Sequence, residues 1–94
     1  MDQLDPDAVP VPRLEVRTRT VRGVMHVALG DVALELSDSA RFIWKKVDGR
    51  RTVGDIGRLL AAEYGIDAGE AVADTGEVLL GLAEQSFVDV PGRA

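Results

Sequence analysis

The 94-residue sequence contains no cysteine, which excludes disulfides, thiolate metal sites and cysteine nucleophiles together. It contains a single histidine, His26, and no glycine-rich phosphate loop or metal-ligand cluster. No apolar run approaches the ~18 residues of a membrane span, and the polar N-terminus does not read as a secretory signal. A cytoplasmic protein without a membrane role is expected. Basic residues are scarce in the C-terminal part: ten basic and nine acidic residues precede Leu59, whereas only Arg93 faces seven acids from there onward. A phosphate-binding surface needs clustered Lys and Arg, so this part of the chain has the wrong sign for nucleic acid.

Hydrophobic residues make up 46% of the chain, enough to exclude wholesale disorder. A chain this short buries somewhat over ~60% of its unfolded surface, so one small domain is expected. The opening "MDQLDPDAVPVP" carries three prolines and three aspartates with few apolar anchors. It reads as a flexible arm over 1–12, followed by a domain over 13–90 and a frayed tail over 91–94.

From Arg13 to Ser37 the pattern has period two. "RLEVRTRTVRG" sets Leu14, Val16 and Thr18 on one face, and Arg22-Gly23 turns the chain into "GVMHVALGDVALELS". Gly30-Asp31 is a two-residue, glycine-first loop suited to a type II′ hairpin. That turn sets Leu29 opposite Val32, Val27 opposite Leu34 and Met25 opposite Leu36, six apolar residues on one face. A slip of one residue would turn them all to water, so the register is well specified.

After Ser37 the period becomes helical. Ser37 or Asp38 caps a helix with Ala40, Ile43, Trp44 and Val47 on one face and Gly49 as its end. Phe42 lies opposite that stripe; it is expected to pack under the next helix, the alternative being an exposed contact for a partner enzyme or a second copy. Thr52 caps a second helix, with Val53, Ile56, Leu60 and Tyr64 inward and Gly65 as its stop. Asp67 and Glu70 open a third that runs to about Gln85, and "FVDV" either adds a short strand or packs. The expected fold is α+β of winged helix-turn-helix type, a three-stranded antiparallel sheet followed by three helices.

Two features lack an obvious partner. In the meander the third strand has a free edge, and the N–H and C=O groups of Ala33, Glu35 and Ser37 must point away from the hairpin. Soluble proteins usually blunt such an edge with Lys, Pro or a bulge, yet Glu35 is its only charged interior position. The apolar and small residues of the third helix spread over roughly 200°, where one face against a core needs ~100°. Two arrangements remain open: both flanks are covered by the sheet and the other helices, or one flank lines a groove beside the third strand. An extended visiting peptide would satisfy such an edge and groove.

Rival chemistry is thin. His26 faces Glu35 across the hairpin, a pairing typical of a surface contact and a conceivable base with its orienter. Asp74, Glu77 and Glu84 have the spacing of a solvated face. No catalytic residue, metal site or cofactor is assigned. A DNA-binding winged helix would need a basic recognition helix, and the third helix carries acids only. A basic strip, Arg41, Lys45, Lys46, Arg50 and Arg51, is either a solvated face or a docking surface for an acidic partner.

The stretch from Leu36 to Val88 resembles the PqqD-like family, also called RiPP precursor recognition elements. The likeness is carried by the strand ending in Leu36 with a Ser cap, Ala40, the Ile43-Trp44 pair, Asp48-Gly49 before a basic residue and Thr52-Val53. Ile56, Tyr64-Gly65 and an acid-capped last helix with paired leucines complete it. The resemblance implies a non-catalytic protein that holds the leader of a ribosomally made precursor as a strand added to the third strand, beside the third helix. By position, Val32, Leu34 and Leu36 would floor the groove, Ala33 and Glu35 would offer backbone, and Val72, Thr75, Gly76 and Leu79 would form its helix wall, which Val78 or Leu80 would extend according to the flank that opens. It further implies a lasso-peptide pathway, in which the leader is presented to a cysteine-protease-type leader peptidase and a cyclase closes the ring. The alternative within the family is a carrier of the precursor of pyrroloquinoline quinone.

Overall fold

Arg22 and Gly23 both take positive φ, 54° and 81°, as a type I′ turn requires, and Gly30 takes φ 57° at the second turn. Both turns match the natural twist of antiparallel strands. They join β2 (Arg17–Val21), β3 (Val24–Leu29) and β4 (Val32–Leu36) into a sheet of order β2-β3-β4 in this computed structural model, which describes residues 4–91. The β3–β4 register is the expected one, with Met25 opposite Leu36, Val27 opposite Leu34 and Leu29 opposite Val32. Met25, Val27 and Leu36 are buried on the shared face.

The first strand is shorter than its alternation suggests. It begins at Arg17, every residue in it is exposed, and Leu14 sits in a preceding turn at 97% exposure. Thr18 therefore does not join the core; of that trio only Val16 packs against it. Arg17 and Arg19 lie along this outer strand and blunt its edge.

Three helices follow, α1 (Asp38–Lys46), α2 (Val53–Tyr64) and α3 (Ala68–Glu84). Each starts at a side-chain cap: Ser37 accepts from the Ala40 N–H, Thr52 from Asp55 and Asp67 from Glu70. Gly65, at φ 66°, ends α2. The first helix stops at Lys46 with Val47 as its cap, two residues before Gly49. Ile43, Val53, Ile56, Leu60, Leu79 and Phe87 form the centre of the core, each at most 2% exposed.

The N-terminal segment corrects the expectation of a flexible arm. The N–H of Gly54 donates to the Pro6 carbonyl at 2.8 Å and that of Val53 to the Ala8 carbonyl at 2.9 Å. With the Thr52 hydroxyl bonded to the Asp55 N–H, the donors that α2 leaves without intrahelical partners are satisfied. Pro10 is fully buried. Next comes β1 (Val11–Pro12), which pairs antiparallel with β5 (Val88–Asp89), Val11 opposite Asp89. "FVDV" thus both packs, through Phe87 and Val88, and adds a strand. Residues 1–3 and 92–94, parts of the expected arm and tail, lie outside the described residues.

The Asp55 carboxylate closes the cap of α2 by accepting from the Thr52 N–H at 3.0 Å and from Arg58 at 2.7 Å. These bonds, the Thr52 backbone N–H first, hold its pKa below the usual aspartate value. Asp48 is lowered likewise by the backbone N–H groups of Arg51 and Arg50. A group whose pKa is depressed on folding stabilises the fold above its unfolded pKa, about 3.9 for Asp, and ceases to do so as pH falls through the folded value. The midpoint of thermal unfolding is accordingly expected to drop below that pH, and Asp55→Asn to flatten part of the drop in melts followed by circular dichroism.

Candidate functional site

Two-residue closure makes Leu29–Val32, Val27–Leu34 and Met25–Leu36 the hydrogen-bonded pairs of the hairpin. The backbone groups of Ala33 and Glu35 therefore face outward. β4 lies at the border of the sheet, and no other strand among the described residues pairs with it. The contrast with β2 is chemical: one border carries two arginines, the other Ala33 and Glu35.

Just past β4 in the chain, the start of α1 borders a depression. The Ser37 hydroxyl, just past β4, lies 3.4 Å from that of Ser39, and Ser39 is on the rim of an open hollow of about 420 Å³. Ile43 of α1 and Leu60 of α2 form its floor, and Tyr64, Ile66 and Val78 its apolar walls. Asp74 and Glu77 of α3 stand on the rim. Its size suits one or two large side chains, at the lower end of ligand pockets.

Gly57 fixes where the other flank of α3 packs. A Cβ at Gly57 would lie 2.6 Å from the Cα of Val72, so α2 and α3 touch backbone to side chain there. Val72 is thereby committed to α2. Thr75 and Leu79 are fully buried, and the Thr75 hydroxyl donates to the Ala71 carbonyl at 2.8 Å. Gly76 lies next to Val72 on the helical wheel, with open space where a Cβ would stand. Of the helix wall expected from sequence, Thr75 and Leu79 lie inside the core, Val72 packs against Gly57 of α2 and Gly76 faces open space; none of the four lines this hollow. The hollow is walled from α3 by Val78 with Asp74 and Glu77. On the strand, Leu36 is buried at 7% exposure, whereas Leu34 is half-buried and Val32 is 39% exposed. Those two and the outward groups of Ala33 and Glu35 are the accessible part of the expected floor.

Tyr64 and Ile66 escape the sequence reading. Tyr64 was expected inward and is 46% exposed; Ile66 follows the Gly65 stop and is 39% exposed. The signal for Ile66 is a large apolar residue in an interhelical loop with no helical period to place it. Phe42 stacks edge-on against Tyr64, ring centres 6.1 Å apart, with the Lys46 ammonium 5.2 Å above its own ring. It packs beside α2 and remains half-buried.

Catalytic chemistry finds little support in this geometry. His26 Nε2 and Glu35 Oε1 are 3.8 Å apart on the exposed face of the sheet, a cross-strand contact with no nucleophile beside it. Among the described residues no cluster of three His, Asp or Glu is placed to hold a metal, and no helix is long and apolar enough to cross a membrane.

Residues 17–88 match the family model described as coenzyme PQQ synthesis protein D, PqqD. The chain belongs to the PqqD family. Its fold is that of a solution structure of the PqqD part of Methylobacterium extorquens PqqCD, described as a functional, stand-alone RiPP recognition element. The TM-score is 0.80 at 29% identity, over 94% of this chain and 96% of that one. Two further PqqD-like folds hold a leader peptide. One is lasso peptide synthetase B1, with TM-score 0.74 and 20% identity over 85% and 96% of the two chains. The other is TbiB1 with the TbiA(beta) leader, with TM-score 0.73 and 17% identity over 89% and 98%. No curated protein is similar enough to count as a relative. The PqqD match begins at Arg17, so the segment that caps α2 lies outside it.

Proposed function

We propose that this protein is a non-catalytic, cytoplasmic recognition element that captures the leader of a ribosomally synthesised precursor peptide as a strand added to β4. The observation that carries this reading is the unpaired edge of β4, together with an apolar hollow bordered by Ser39, three residues beyond the end of that strand. Main-chain bonds to Ala33 and Glu35 supply affinity that any extended peptide can use, and a pocket for its side chains supplies selectivity. The floor is Val32 and Leu34, and the pocket lies between α1, the end of α2 and the Val78 flank of α3.

The partners that fit this role are a separate leader peptidase of the cysteine-protease type and a lasso cyclase. The leader-bound lasso synthetase B1 and TbiB1, which share this fold, support the lasso assignment by architecture. A second reading, carriage of the pyrroloquinoline quinone precursor, is favoured by the 29% identity to a PqqD. Reading frames beside the gene discriminate: a short precursor next to a peptidase and a cyclase marks the lasso pathway. DNA binding is disfavoured because α3, the helix that would enter the groove, has four acids and no base among its residues.

The test is fluorescence polarisation with the labelled leader of that short precursor. Leu34→Asp places a charge on the apolar floor and is expected to weaken binding at least tenfold, about 1.4 kcal/mol. Val32→Asp, at a more exposed site, is expected to act in the same direction without risk to the core. Glu84→Ala, away from the hollow, is expected to stay within about twofold. Equal affinities for all three folded variants would overturn strand capture at β4.

A further inference from the structure

Asp74 and Glu77 are exposed on the rim of the hollow, and neither takes part in any ion pair formed among the described residues. Their own helix contains no Lys or Arg that would neutralise them. No basic residue lines the hollow, whereas in the neighbouring depression across Tyr64 the acids Asp38 and Glu63 stand beside Arg41 and Lys45. The two cavities thus share a tyrosine wall and differ in charge.

An apolar pocket with an uncompensated anionic rim discriminates by charge. A peptide side chain that fills it brings its sequence neighbours within a few ångströms of Asp74 and Glu77. An acidic neighbour is repelled, a basic one attracted, and ordinary ionic strength screens such a contact only partly at this range. Lys and Arg suit the geometry, because their aliphatic stems lie along apolar walls while the charge stays at the wet rim.

We propose that the pocket reads a bulky apolar anchor with a Lys or Arg immediately beside it, Asp74 and Glu77 being the specificity-determining residues. This rests on the leader-capture reading and adds the chemical class of the segment captured. Each exposed pair is worth little alone, so the two carboxylates together are expected to favour a basic over a neutral neighbour by roughly three- to tenfold at low salt.

The test uses random twelve-residue peptides displayed on phage and selected on the purified protein, the variant Asp74→Asn/Glu77→Gln, and the variant Glu70→Gln/Glu84→Gln. The last removes the same charge from the same helix outside the hollow. The native protein and the Glu70/Glu84 variant are expected to enrich Leu, Ile, Phe or Tyr with an adjacent basic residue. The Asp74/Glu77 variant is expected to keep the apolar enrichment and lose the basic one. Equal basic enrichment on all three proteins, or none on the native protein beside a strong apolar signal, overturns the charge reading and leaves leader capture standing. Absence of apolar enrichment on the native protein, with the same output from Leu34→Asp, overturns both.

Discussion

Gly57→Leu is expected to leave the domain unfolded at room temperature, and Gly57→Ala to lower its thermal midpoint by roughly 10 °C. A Cβ at position 57 would stand 2.6 Å from both the Cα and a methyl of Val72, and 3.0 Å from its backbone nitrogen. A backbone atom cannot swing aside as a flexible side chain can, so α2 and α3 must separate by most of an ångström. Overpacking of this kind costs about 1–3 kcal/mol, and more where backbone is struck. Against it, alanine in a helix interior gains roughly 1 kcal/mol over glycine. The strain is the larger, and a net loss near 2 kcal/mol gives the stated shift. Gly76→Ala meets no atom within 4 Å and is expected to raise the midpoint by a few degrees through the same helix preference. Circular dichroism melts of the two alanine variants therefore separate in sign. Leader affinity adds a second reading: with the pocket on the Val78 flank, Gly76→Ala binds as the native protein does, whereas a wall at Gly76 would lose a close approach and bind more weakly.

Gly57 also explains what the sequence could and could not disclose. The β3–β4 register was legible because a two-residue turn fixes the pairing and strict alternation fixes the face: a slip of one residue turns the apolar set to water. The helix starts were legible because Ser37, Thr52 and Asp67 each sit three residues before the N–H they accept from. The open flank of α3 was not, since a helical wheel is symmetric about its buried stripe and Val72 and Val78 look alike on it. What breaks the symmetry is a missing side chain on another helix, a contact no local pattern carries. The docked N-terminal segment was hidden for a similar reason. Its anchors are the carbonyls of Pro6 and Ala8, groups every residue has, and they answer donors at the start of a helix more than forty positions away. Leu14 and Tyr64 fell to a shorter strand and a shallower helix end, where periodicity gives direction and says nothing of whether a neighbour is present. The free edge was legible as an inference from turn length, and the hollow beside it was not, because Ile43 and Leu60 read as ordinary core residues until Tyr64 and Ile66 are seen to stand away from them.

Ala33→Pro is expected to reduce leader affinity by about ten- to a hundredfold while leaving the domain folded. Proline removes the N–H of residue 33 and fills its place with a ring. Within the hairpin that N–H has no partner to lose, because Ala28 and Ala33 form a non-hydrogen-bonded pair between the bonded pairs Leu29–Val32 and Val27–Leu34. Border strands are among the few places in a sheet where proline is tolerated. A strand laid on β4 would use the N–H groups of Ala33 and Glu35 as its donors, so the substitution deletes one of them. The lost bond is worth about 0.5–1.5 kcal/mol net, and the unmatched carbonyl of the leader adds about 1–3 kcal/mol where it is shielded from water. Ala33→Val is the control that isolates the backbone: it enlarges the side chain on the open face of the sheet, keeps the N–H and is expected to bind within about threefold of the native protein. Polarisation titrations of both variants with the labelled leader, each checked for an unchanged melt, decide the matter. If proline and valine bind alike, the leader does not pair with β4, and the hollow must hold its side chains without the strand.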